Sequence, residues 1–101
     1  MAAITNPGTN VTTFSGEYKL LSLNDLAVTT ASDAITLSYA SNGITEIQNV
    51  VASISGGQDA AFTAVAADFS GLIITITSVE QDGTAATNFT GTNVNLLVVG
   101  K

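Results

Sequence analysis

Apolar residues in this chain fall on alternate positions in short runs, and each run is bounded by residues that turn the backbone. In residues 72–79, Leu72, Ile74 and Ile76 take one parity and Thr75 and Thr77 the other. In residues 34–39, Ile35, Leu37 and Tyr39 share a face opposite Thr36 and Ser38. A period of two sends successive side chains to opposite faces of an extended strand, so both runs read as half-buried strands. Ser70-Gly71 stands before the first and Ser41-Asn42-Gly43 after the second, supplying residues that tolerate positive φ.

The same pattern recurs along the chain. Residues 11–15 and 17–23 read as strands separated by Gly16, and Asn24-Asp25 interrupts the second. Residues 44–54 read as one long strand in which Ile44, Val50, Ala52 and Ile54 agree in parity while Ile47 and Val51 do not. A bulge within residues 46–49, or burial on both faces, resolves that conflict. In residues 92–99, Val94, Leu96 and Val98 share a face with Leu97 and Val99 behind them, the mark of a strand that is central or covered on both sides. Residues 59–69 admit two readings. Asp59, the alanines and the spacing of Phe62, Val65 and Phe69 suit a helix, whereas a strand would form a hairpin with residues 72–79; the strand is favoured. Residues 80–91 form a polar loop whose one large apolar residue, Phe89, is expected to fold back on the domain. Residues 1–10, with Ile4 ahead of the Asn6-Pro7-Gly8 turn, read as an N-terminal arm. The expected fold is all-β: a compact antiparallel β-sandwich over residues 11–101, jelly-roll-like or Greek-key, with that arm extended from it.

Composition narrows function by exclusion. The chain has 101 residues, 46% of them apolar, enough for one domain with a real core but not for two. Charged residues make up 10%, against about 25% in an ordinary soluble domain. Two are basic, Lys19 and Lys101, and eight are acidic, for a formal net charge of -6. Such a chain repels phosphate and lacks the cations for a multi-phosphate contact set, so no nucleic-acid partner is expected. Histidine and cysteine are absent, which removes His- and Cys-based catalysis, disulfides and Cys-type zinc sites. Lys19 reads as a strand-edge charge rather than a catalytic base. The acids Glu17, Asp25, Asp33, Glu46, Asp59, Asp68, Glu80 and Asp82 read as turn formers and surface charges, and the phenylalanines as core. Residues 80–83 do not match a calcium loop, and Gly56-Gly57 lacks the Lys-Ser/Thr of a phosphate loop. No enzyme activity, cofactor or metal is expected. No apolar run approaches the roughly 18 residues of a membrane span, and residues 1–8 lack the features of a secretion signal, so no membrane partner or Sec export is expected.

What remains is a surface of Thr, Ser and Asn with almost no charge. Residues 72–79 and 94–99 contain no charged residue and have high β-propensity, a hazard at an open sheet edge. Cover by partner subunits is the expected remedy, because uncharged polar faces desolvate at lower cost than charged ones.

The segments ITLSYASNGITEIQNVV (residues 35–51), FSGLIITIT (69–77), DGTAA (82–86) and VNLLVVG (94–100) resemble small structural proteins of tailed-bacteriophage virions, over most of residues 34–101. The resemblance implies a β-sandwich on the outer surface of the head, a decoration or cement protein that binds the major capsid protein lattice, commonly as a homotrimer. Acidity agrees with an outer rather than a DNA-facing location. Partner contacts are expected at Ile4, Asn6, Pro7 and Gly8 of the arm and at Asp82, Asn88 and Phe89 of the loop. Two other readings compete: a carbohydrate- or receptor-binding module, disfavoured by the absence of Trp, and a tail, connector or fibre subunit that assembles into rings or filaments.

Overall fold

The computed structural model describes residues 2–6, 11–15, 18–56, 64–79, 84 and 93–101. They form eight strands, β1 (Ala2–Ile4), β2 (Val11–Ser15), β3 (Tyr18–Ala27), β4 (Ser32–Thr36), β5 (Ile47–Gly56), β6 (Ala64–Ser70), β7 (Ile73–Val79) and β8 (Asn93–Gly100), and one helical turn, α1 (Tyr39–Asn42). The strands make two four-stranded sheets, a back sheet ordered β1-β4-β7-β6 and a front sheet ordered β2-β3-β8-β5. Only β2–β3 and β6–β7 are neighbours both in sequence and within a sheet; every other connection crosses from one sheet to the other. The fold is an all-β sandwich.

Inward parity builds the core. Leu21 and Leu23 of β3, Ile35 of β4, Ile74 and Ile76 of β7, and Val94, Leu96 and Val98 of β8 are buried, joined by Leu26, Val28, Leu37, Ile44 and Ile47. Each such side chain contributes about 1.5–3 kcal/mol relative to leaving it exposed. Every apolar residue in this buried set is aliphatic. Phe69, expected in the core, is only partly buried against it.

Two bulges keep long strands in phase. In β3, Leu23 pairs with Leu96 and Leu26 with Val94, so one extra residue is absorbed at Asn24-Asp25 and both leucines face inward. Asp25 takes φ 55°, a left-handed conformation that Asp and Asn tolerate better than other residues with a side chain. The expected interruption is therefore a bulge inside a continuous strand. In β5 the register shifts between Ile47 and Asn49, which buries Ile47 on the same side as Val50, Ala52 and Ile54. Val51 then points outward and is 55% exposed.

Residues 64–70 are a strand paired with β7 from Ala64↔Val79 to Ser70↔Ile73, the hairpin favoured above. Residues 57–63, the rest of that ambiguous segment, lie outside the described residues.

Two expectations are corrected. The strand over residues 34–39 stops at Thr36, and Tyr39 is 65% exposed rather than facing the core with Ile35 and Leu37. Ser38 caps a helical turn by accepting from Ser41 N at 3.1 Å, and Gly43, at φ 75°, ends it by donating its N–H to the Tyr39 carbonyl. The chain thus turns away before Tyr39 can point inward. The segment expected as an arm begins as a strand: β1 pairs with β4 in parallel, Ile4 opposite Ile35, and is the one parallel pair in an otherwise antiparallel assembly. Ile4 packs against the core, and the ladder satisfies backbone groups along the outer side of β4.

Asp33 departs from the surface-charge reading. It is fully buried at the start of β4, where its carboxylate accepts from Thr29 N at 2.8 Å, from Thr30 N at 3.3 Å and from the Thr30 hydroxyl. It organises the turn between β3 and β4, as a buried charge surrounded by donors can.

Candidate interaction surface

On the front sheet, the outward positions of β3, β8 and β5 carry Leu20 and Ser22; Asn95, Leu97 and Val99; and Asn49, Val51 and Ser53. Register brings the apolar members together. Leu20 lies opposite Val99, and Leu97 lies opposite Val51 on one side and Ser22 on the other. Val51 is 55% and Leu97 44% exposed, while Leu20 and Val99 are half-buried. The four make a continuous diagonal stripe across three strands, bordered by Ser22, Asn49, Ser53 and Asn95. An apolar centre with an uncharged polar rim is the anatomy of a protein interface. The outer face of the back sheet is different: Thr36, Thr75, Thr77, Ala64, Ala66, Asp68 and Ser70 surround Ile73, its one large exposed apolar residue.

The sequence-predicted contacts lie elsewhere. Ile4 packs against the core. The Asn6 amide donates to the Thr36 carbonyl at 3.0 Å and to Asn42 Oδ1 at 2.6 Å, while Asn42 Nδ2 donates back to Asn6 Oδ1 at 3.2 Å. Asn42 Oδ1 also accepts from Ser38 N at 3.0 Å, so this buried amide ties the N-terminal segment to α1. Pro7, Gly8, Asp82, Asn88 and Phe89 lie outside the described residues. Leu20, Val51, Leu97 and Val99 were not singled out as contacts, although the wrong parity of Val51 and the apolar pair behind the inward face of residues 92–99 were their sequence signal.

Both lysines and both tyrosines gather at one end of the sandwich. Lys19 donates to the Gly43 carbonyl at 2.8 Å with its ammonium 5.9 Å from the Tyr39 ring centroid, and the Lys101 ammonium lies 5.4 Å from that of Tyr18. These are cation–π pairs at partly exposed sites, each contributing about 0.5–1 kcal/mol. An open cleft of about 430 Å³ runs between β1 and the β3 bulge, lined by Ala3, Ile4, Thr5, Asn24, Asp25, Leu26, Ala27 and Thr29. Its one ionisable side chain is Asp25, which accepts from the Ser55 hydroxyl at 3.2 Å. Among the described residues no group of three or more His, Cys, Asp or Glu could hold a metal ion, and no helix is long and apolar enough to cross a membrane.

No protein-family model, curated protein or solved structure matches the chain.

Proposed function

We propose that this protein is a non-enzymatic structural component of a tailed-phage virion, seated on the outer surface of the head and tying together neighbouring subunits of the major capsid protein lattice. The observation that carries the reading is the front sheet's outer face, an apolar stripe with an uncharged rim on an acidic chain, suited to permanent protein contact and unsuited to DNA. The resemblance of residues 34–101 to head decoration proteins adds the location and the homotrimer. Because Ile4 and Asn6 are engaged within the chain, Pro7, Gly8, Asp82, Asn88 and Phe89 are the proposed lattice contacts.

A protein that binds only the assembled shell stabilises it by about 2.7 kcal/mol per site at a hundredfold excess over Kd. Repeated over a lattice, modest contacts become decisive. Particles lacking the protein are expected to form but to release DNA at lower temperature or milder osmotic shock, and purified protein added back restores resistance. Equal breakage of stripped and decorated particles removes the cement role and favours the receptor-binding reading.

A further inference from the structure

We propose that the outer face of the front sheet is where copies of this chain join, each covering the Leu20, Leu97 and Val51 stripe of another. This deepens the homo-oligomer part of the proposed function and rests on that reading only for the number of subunits.

The area is sufficient. β2, β3, β8 and β5 contain 5, 10, 8 and 10 residues. At about 3.4 Å per residue and 4.8 Å between strands, the face spans roughly 540 Å². Two such faces bury about 1,100 Å² in total, just above the roughly 1,000 Å² expected of a specific interface. The apolar stripe supplies its centre, and Ser22, Asn49, Ser53 and Asn95 its rim.

Charge selects the occupant. Each chain carries a formal -6, so two copies approaching at random repel. Between Leu20 and Asn24, Asn49 and Ser53, and Asn95 and Val99, the three central strands hold no ionisable residue. A second copy therefore brings an uncharged face to an uncharged face and desolvates no charge at the contact. A basic partner would instead gain by meeting the acids outside this patch. Self-association through the stripe is thus opposed only by long-range repulsion, which salt screens over about 8 Å at physiological ionic strength against about 30 Å at 0.01 M.

The test is the mass of the purified protein by light scattering and sedimentation across concentration and salt. The expected result is a closed oligomer that strengthens as salt rises. Leu97→Asp and, separately, Val51→Lys each place an unpaired charge in the contact and are expected to weaken association roughly a hundredfold. Val51 is the more exposed of the two on an edge strand, so its variant keeps the test valid if Leu97→Asp fails to fold, as judged by circular dichroism. A monomer at all concentrations and salts overturns the proposal, as does an oligomer that both folded variants leave intact. Either result leaves the particle-breakage experiment to judge cementing by single copies, so the two proposals fail separately.

Discussion

Gly100 must be glycine because another strand's backbone occupies the space beside it. A Cβ there would lie 2.5 Å from the Glu46 carbonyl oxygen, which accepts from Lys101 N at 2.9 Å, while Thr45 N donates to the Lys101 carbonyl at 2.7 Å. These bonds fix the separation, so Gly100→Ala is expected to cost about 1–3 kcal/mol. At roughly 4–8 °C per kcal/mol, calorimetry should show a clear fall in Tm; an unchanged Tm would mean that the strands part there without cost. The Asn6–Asn42 pair makes a different prediction. Asn42 precedes Gly43, the sequence in which the glycine amide nitrogen most easily attacks the asparagine side chain and expels ammonia. Here the Gly43 N–H is donated to Tyr39 O at 2.8 Å, and the Asn42 amide is clamped by Asn6 and Ser38 N. Asn6→Ala removes one clamp and leaves a buried amide short of a partner, a loss of about 1–3 kcal/mol. Peptide mapping after warm incubation should then find Asn42 deamidating faster than in the parent chain. Equal rates would show that the Gly43 bond and Ser38 suffice.

At the scale of elements, the open edges are guarded by amides and carboxylates rather than by lysine or proline. On β5, Val50 N donates to Asn49 Oδ1 at 2.9 Å; on β6, Phe69 N donates to Asp68 Oδ1 at 2.8 Å. Each edge strand thus occupies one of its own outward N–H groups, which would otherwise be a template for another chain. Asn49→Val frees the Val50 N–H and raises local β-propensity. Its Tm should stay within about 0.5 kcal/mol of the parent's stability, while aggregation on prolonged heating, followed by light scattering, should quicken. Unchanged aggregation would assign the protection to something other than the side-chain cap. The residues behind these elements explain what the sequence disclosed. β7 and β8 were legible because tertiary packing agrees with their alternation throughout. The β5 bulge was legible because Ile47 broke parity where Asn and Gln gather. The β3 bulge read as an interruption, since Asn24-Asp25 carries turn chemistry and only the return of parity at Leu26 and Val28 reveals that the strand continues. Tyr39 misled because alternation extended one step past the cap at Ser38. β1 was not legible: three residues have no usable period, and their pairing depends on the bare side of β4. Of the interaction surface, the stripe was present as surplus apolar residues at outward parity, but its contiguity depends on register between strands far apart in sequence.

For the molecule as a whole, nothing in the composition makes stability depend on metal or redox state. The chain has no cysteine, and the described residues contain no cluster of metal-ligating side chains. Melting is therefore expected to be the same with and without chelator or reductant, and a fall of several degrees with either would contradict this. Folding rate is the sharper global test. β3 pairs with β8 from Lys19↔Gly100 to Ala27↔Asn93, and β5 joins β8 on its other side, so the front sheet cannot assemble until the last strand arrives. The back sheet pairs β4 with β7, Ser32 opposite Thr77, and receives β1 from the start of the chain. Only the β2–β3 and β6–β7 hairpins can form locally, and an isolated hairpin is marginally stable in water. Most loop-closure entropy must be lost before the pairings that repay it form, which puts sandwiches of this kind at folding times of milliseconds to seconds. Stopped-flow refolding, monitored by far-ultraviolet circular dichroism because the chain has no tryptophan, should fall in that range. Shortening the sequence distance by circular permutation between β3 and β4 would bring β8 next to β1 without making the β3–β8 pairing local, so it should leave the rate nearly unchanged. Refolding in microseconds, or a large acceleration in the permuted chain, would show that the rate is not limited by bringing β8 to β3.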